Sequence, residues 1–63
     1  MNVVVNGESR QFATDELTVD RLLEELEIEQ RQGMAVAVNE RVVTRSKWAE
    51  TDVGEGDAVE IIR

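Results

Sequence analysis

The sequence contains neither cysteine nor histidine, and it has little aromatic surface. These missing residue types exclude disulfides and the usual zinc sites as devices that could stabilise a small fold. Phe12 and Trp48 are the only aromatic residues, so stability must come from close packing of aliphatic side chains. Two aromatic rings also make a poor platform for stacking nucleic-acid bases.

Basic residues are scarce as well. The chain has 7 basic and 14 acidic residues, which gives a formal net charge of -7. This charge repels the phosphate backbone of nucleic acids and anionic lipid, so binding to either is disfavoured. The acidic residues are spread along the chain, which predicts a charged folded surface. The natural complement of that surface is a protein partner with a basic face.

Long hydrophobic runs are absent too. The longest one, Met34 to Val38, is far too short to span a bilayer, and Met1-Asn2-Val3 does not begin a signal peptide. We therefore expect a cytoplasmic protein. Its 63 residues predict a single domain, residues 1–63. This length is near the lower limit for a core that folds without disulfides or a bound metal. A monomer is the default expectation.

The first third of the sequence predicts a β-hairpin. Valines alternate with other residues from Asn2 to Asn6, so that Val3 and Val5 share one face and Val4 takes the other. Asn6-Gly7 favours a type I′ turn, which needs positive φ at both central positions. A second strand, roughly from Ser9 to Phe12, should follow with Phe12 turned inward.

A single amphipathic helix follows. Thr18 is a suitable N-cap residue, with Leu17 and Leu22 placed for a hydrophobic staple. The apolar spacing lasts until Ile28, and Gly33 is the stop signal. The apolar stripe of this helix consists of Val19, Leu22, Leu23 and Leu26. Its solvent-exposed face carries Glu24, Glu25 and Glu27.

The second half predicts three more strands. Residues 34–39 alternate as a strand does, Asn39-Glu40 forms a turn, and Val42-Val43 forms a short strand. Arg45 to Trp48 is a turn or short helical piece, in which we expect Arg45 to pair with a local acid and Trp48, with Val53, to cover the open end of the core. A turn at residues 54–57, with Gly56 at positive φ, then leads into the last strand, Ala58 to Arg63.

The element order is therefore ββαβββ, which indicates an α+β fold of two layers. One helix covers a mixed sheet of four to five strands. The helix crossover leaves the first and last strands free to pair side by side and in parallel, which places the last strand at the sheet centre. This is the β-grasp, or ubiquitin-like, arrangement.

The candidate site is a surface rather than a catalytic centre. Without histidine or cysteine there is no obvious base or nucleophile, so we expect no enzymatic activity and no catalytic, metal or cofactor-binding residue. Val4 and Ile62 should point away from the helix, where exposed aliphatic side chains can dock a partner. Glu60 and Arg63 complete the predicted partner-binding set. Glu8 and Glu55 are candidates to frame it.

Five segments in register resemble the ThiS family of sulfur carriers, and more distantly MoaD, over the whole chain. The similarity rests on Asn6-Gly7, on the helix from Thr18 to Leu26 and on Ala35 to Asn39. It continues through residues 43–48, with Thr44 where the family has proline, and ends with residues 56–61.

The resemblance implies a carrier whose C-terminal Gly-Gly becomes a thiocarboxylate. A ThiF-like adenylyltransferase would activate it with ATP, a sulfurtransferase system would supply sulfur, and a thiazole synthase would accept it. No cofactor is expected on the carrier itself. The sequence has no Gly-Gly after Arg63, so the alternatives are a ubiquitin-like interaction module without transfer chemistry, or a carrier for molybdopterin synthesis or tRNA thiolation.

Overall fold

The computed structural model describes residues 1–29 and 33–63. These residues form a five-stranded sheet, a separate two-stranded ladder, one α-helix and one 3-10 helix. In chain order the elements are β1 (Asn2–Val5), β2 (Glu8–Gln11), β3 (Leu17–Thr18), α1 (Val19–Glu25), β4 (Ala35–Val38), β5 (Arg41–Val43), the 3-10 helix (Arg45–Glu50), β6 (Asp52–Val53) and β7 (Ala58–Ile62).

The main sheet has the order β2-β1-β7-β4-β5, so β7 lies at its centre. β1 and β7 run parallel, with Val4 opposite Ala58 and Val5 opposite Val59. The other pairs among the described strands run antiparallel. The predicted β-grasp fold is confirmed, including the parallel pairing of the first and last strands. Its consequence is that the last strand lies between two others, with β1 beside Ala58 and Val59 and β4 beside Val59 to Ile62.

Both hairpins turn through two residues of positive φ. Asn6 and Gly7 have φ of 50° and 83°, and Asn39 and Glu40 have φ of 50° and 70°. These values suit the right-handed twist of the strands that each turn connects. The first hairpin is as predicted, except that β2 begins and ends one residue earlier than expected.

Helix α1 is shorter than the apolar spacing predicts. It ends at Glu25, whereas the sequence indicated a continuation to Ile28 and a stop at Gly33. The cause is a left-handed residue at Glu27, with φ of 58°. The Ile28 N–H then bonds the carbonyl of Leu23, and the Glu27 N–H bonds that of Glu24. This is a Schellman termination without its usual glycine. Because no glycine marks it, the sequence pattern does not predict the end of the helix at this point.

The start of α1 lies where predicted. Thr18 has the extended conformation of an N-cap residue. Its hydroxyl, however, hydrogen-bonds the Asp20 carboxylate instead of capping a backbone N–H. Leu17 and Leu22, the predicted staple, are both buried.

The β3–β6 ladder, which pairs Leu17 with Val53, was not predicted. The ladder and the 3-10 helix together close the core. Trp48 of that helix is part of this closure and is only 2% exposed. Gly56 has the predicted positive φ, at 79°.

The core lies between α1 and the inner face of the sheet. Within the part of the chain that the structure describes, the buried side chains are all apolar. Among residues 1–29 and 33–63, no helix is long and apolar enough to cross a membrane. The core residues are Val3, Val5, Phe12, Leu17, Val19, Leu22, Leu23, Val36, Trp48, Val53, Val59 and Ile61.

Candidate functional site: the open face of the sheet and the end of β7

The strand pattern of β7 sorts its side chains between core and solvent. Val59 and Ile61 are buried under α1, whereas Glu60 and Ile62 point to the opposite face, and Ile62 is 66% exposed. β1 alternates in the same way, which leaves Val4 half-buried on that outer face. Three of the four predicted partner-binding residues, Val4, Glu60 and Ile62, therefore share one face of the sheet.

The sheet register adds further residues to this face. Ala37 lies between Glu60 on one side and Val42 on the other. Ala35 lies opposite Ile62, and Ala58 lies opposite Val4. We define the open face as the outward side chains of Val4, Ala35, Ala37, Val42, Ala58, Glu60 and Ile62.

Val42 is the residue that the sequence analysis missed. It is 76% exposed, the most exposed large aliphatic side chain of the described residues. Val43 beside it is half-buried and packs against the core. The available signal was the Val42-Val43 pair itself, since neighbouring strand residues point to opposite faces and one of the two valines had to face outward.

The open face has low relief and a single charged side chain at its centre. Three of its residues are alanines, and Glu60 lies opposite one of them, Ala37. At one end, Glu40 and Glu60 line a shallow depression with Val4 and Ala58. This arrangement suits a partner that presents apolar side chains beside a basic group.

Arg63 does not lie with the other predicted residues. It lines a depression on the helix side of the sheet, next to Leu26, Glu27 and Ile28. The physical reason is the strand alternation, which carries residues 59, 61 and 63 to the inner side. Arg63 therefore marks where the chain leaves the sheet.

The two acids predicted to frame the open face lie in different places. Glu8 is opposite Val5, whose side chain points to the core, so Glu8 lies on the helix side as well. Glu55 accepts a hydrogen bond of 2.9 Å from the Asn2 N–H, so it fastens the turn before β7 to the start of β1. The expectation that Glu8 frames the open face is therefore wrong, whereas for Glu55 it stays a prediction.

Arg45 also differs from its prediction. Its guanidinium lies 5.2 Å from the centre of the Trp48 ring, a cation–π arrangement. The described salt bridges join Arg10 to Glu8 and Arg21 to Glu24, not Arg45 to an acid. Trp48 itself covers the core as predicted.

The described residues offer no metal centre, since within residues 1–29 and 33–63 no three acidic side chains are grouped to hold an ion. What the site offers is an exposed, largely apolar sheet face and a strand end. Residues Ala58 to Ile62 serve both, because alternate side chains belong to the core and to the open face.

Comparisons with known proteins point to one family. A sequence model described as the ThiS family matches residues 3–63. The chain is 40% identical to the sulfur carrier protein ThiS of Escherichia coli over 60 residues, which cover 94% of this chain and 86% of that protein. It is also 40% identical over 62 residues to a thiazole synthase of Paramagnetospirillum magneticum. Those residues are 98% of this chain but only 18% of that protein.

Solved structures agree with the sequence relatives. The crystal structure of a thiamine biosynthesis protein, ThiS, from Geobacter metallireducens has a TM-score of 0.89 and 35% sequence identity to this chain. The match covers 98% of this chain and 91% of that one. A solution structure of a thiamine biosynthesis protein from the same organism has a TM-score of 0.82 and 36% identity, and the match covers 98% and 81% of the two chains.

Proposed function

This chain belongs to the ThiS family, and from that premise we propose that it is a sulfur carrier for thiamine biosynthesis, a protein substrate rather than an enzyme. The observation that carries the proposal is the position of β7. It lies at the centre of the sheet, paired with β1 and β4, and it leads directly to Arg63. A carrier needs such a strand, because the chain that follows it departs from a rigid base.

The chemistry requires a segment that ends in Gly-Gly after β7. A ThiF-like adenylyltransferase would join AMP from ATP to the terminal carboxylate and release pyrophosphate. A sulfurtransferase system would then supply sulfur at the sulfide oxidation level, which displaces AMP and leaves a thiocarboxylate. Glycine suits this task because a segment without side chains can thread a narrow channel to a buried reaction centre. No bound cofactor is needed on the carrier, since ATP is consumed in the partner.

The open face is the docking surface in this proposal. It presents Val42 and Ile62 as exposed aliphatic contacts, and Glu60, on the same face, as a partner for a basic side chain. Because Glu60 and Ile62 belong to β7, docking here fixes the partner relative to the end of that strand. The formal charge of -7 favours approach to a basic enzyme surface.

A thiazole synthase is the proposed acceptor of the sulfur. The similarity to a stretch of the Paramagnetospirillum magneticum thiazole synthase supports this assignment, because it associates a domain of this type with that enzyme name. Thiazole synthesis is therefore favoured over molybdopterin synthesis or tRNA thiolation as the receiving pathway. We also place the reaction in the cytoplasm, where ATP and the sulfurtransferase system would be at hand.

The test is modification of the full-length natural protein. Incubated with a ThiF-like adenylyltransferase and ATP, it should gain the mass of an acyl-adenylate, and with a sulfurtransferase system the mass of a thiocarboxylate, as read by intact mass spectrometry. The matched control is the same protein without its final Gly-Gly, which should stay unmodified. A natural sequence without Gly-Gly, or a Gly-Gly form that is never modified, would favour an interaction module instead.

A further inference from the structure

The Asn6 side chain extends the sheet by one step beyond the end of β1. Its Oδ1 accepts a hydrogen bond of 2.8 Å from the Ile61 N–H. Its Nδ2 donates one of 3.3 Å to the Ile61 carbonyl. Both backbone polar groups of Ile61, two residues before Arg63, are therefore bonded to one amide.

This amide replaces a peptide group that β1 cannot supply. The parallel ladder proceeds from the Val4 N–H, which bonds the Asp57 carbonyl, to the Asn6 N–H, which bonds the Val59 carbonyl, each at 2.9 Å. The next step would pair Ile61 with backbone groups of the residues from Asn6 onward. At Asn6, however, φ is 50° and the chain turns away into the hairpin. A primary amide has one acceptor and donor hydrogens in nearly the arrangement of a peptide, so it can take that place.

Asn39 provides a natural comparison at the other end of the same strand. It has the same φ of 50° at the equivalent turn position. Its Oδ1 accepts a hydrogen bond of 2.9 Å from the Ala58 N–H, and its Nδ2 donates to the Asp57 carboxylate at 3.0 Å. Because β1 is parallel to β7 and β4 is antiparallel, the two asparagines lie at opposite ends of β7: Asn39 at its start and Asn6 at its exit.

We infer that Asn6 is a positioning residue for the carrier reaction, an inference that rests on the proposed function. Its amide holds the last part of β7 in the sheet, so that the segment after Arg63 leaves in one direction. Without it, Ile61 keeps its buried side chain but loses its bonds on the β1 side, while Ile62 keeps its place opposite Ala35. The exit then frays, and a partner enzyme must order it on binding, which weakens binding rather than the chemical step.

The experiment compares Asn6→Gly with Asn39→Gly in the full-length protein. Glycine keeps the positive φ of each turn, so each variant removes one amide with its two hydrogen bonds and little else. In Asn6→Gly, amide hydrogen exchange at Ile61 should accelerate roughly tenfold, because its N–H loses its partner. The KM for the adenylyltransferase should rise roughly fivefold with kcat unchanged. In Asn39→Gly both quantities should stay at the level of the unchanged protein.

Asn6→Asp serves as a second variant with the same shape. It keeps an acceptor for the Ile61 N–H but has no hydrogen to donate to the Ile61 carbonyl. Its KM should therefore lie between that of the wild-type protein and that of Asn6→Gly. Unchanged exchange at Ile61 in Asn6→Gly would overturn the inference, as would equal KM values for Asn6→Gly and Asn39→Gly. If the wild-type protein is not adenylated at all, the proposed function fails. The exchange rates at Ile61 then still decide whether Asn6 keeps the end of β7 in the sheet.

Discussion

The indole nitrogen Nε1 of Trp48 donates a hydrogen bond of 2.9 Å to the carbonyl of Val43. This bond joins the 3-10 helix to the end of β5. Because its one polar group is bonded, the ring can be almost completely buried without leaving an unpaired donor. The side chain thereby closes the end of a core that contains one other aromatic residue, Phe12.

We predict that Trp48→Phe lowers the free energy of unfolding by about 2 kcal/mol. The smaller ring leaves a cavity, and the Val43 carbonyl loses its donor. Urea denaturation followed by circular dichroism measures the change, since Trp48 is the only tryptophan and its fluorescence is lost with it. A midpoint equal to that of the unchanged protein would contradict the prediction.

Arg45→Gln is the companion experiment. The guanidinium lies over the ring, and removing its charge abolishes the cation–π contact while leaving Trp48 in place. At so exposed a position the contact contributes about 0.5 kcal/mol. The expected loss is therefore much smaller than that of Trp48→Phe. A comparable loss would mean that Arg45 has a larger role in closing the core.

Local chemistry accounts for the parts of the fold that were predictable from the sequence. Asn6-Gly7 has few alternatives to a tight turn, and the spacing of Val19, Leu22 and Leu23 suits one buried helix face. The helix crossover leaves the place beside β1 open for a later strand, and β7 takes it between β1 and β4. Val4 and Ile62 could be assigned to the outer face from alternation alone.

The remaining features depend on contacts between distant residues. The β3–β6 ladder is two residues long on each side, too short to leave an alternating pattern. Glu8 and Glu55 are close to the end and start of β1, but only the register shows that one lies under the sheet and the other binds the Asn2 N–H. Asn6 was readable as a turn residue, whereas its bonds to Ile61 require the parallel pairing of β1 with β7.

Glu27 terminates α1 at a position where glycine is the usual residue. Its φ of 58° strains a side chain with a Cβ. We therefore expect Glu27→Gly to raise the free energy of unfolding by about 1 kcal/mol. The same substitution at Glu25, the last residue of the helix, should lower it by about 0.5 kcal/mol. Chemical denaturation of both variants gives the comparison, and a destabilised Glu27→Gly protein would contradict it.

Glu40 presents the same strain in the second hairpin. It has φ of 70° at the position where the first hairpin has Gly7. Glu40→Gly should therefore stabilise the protein by about 1 kcal/mol. Gly7→Ala is the reverse experiment, because the added Cβ meets nothing within 4 Å and only the backbone φ opposes it. It should destabilise by about 1 kcal/mol, and thermal unfolding should shift in opposite directions for the two variants.

The last prediction concerns the open face. Val42→Glu places a charge on an exposed strand residue, so the free energy of unfolding should change by only about 0.5 kcal/mol. Binding to the adenylyltransferase should weaken at least about tenfold, since the new carboxylate removes an apolar contact and lies across Ala37 from Glu60. Isothermal titration calorimetry measures the affinity.

Ala49→Glu is the matched control for Val42→Glu. It adds the same carboxylate to an exposed apolar residue of the 3-10 helix, which is not a strand of the sheet. Because both variants carry the same net charge, any loss from general electrostatic repulsion affects them equally. A tenfold loss confined to Val42→Glu, about 1.4 kcal/mol of binding energy, therefore reports a contact on the open face. Equal losses in the two variants would show that the net charge of the protein, rather than this face, governs docking.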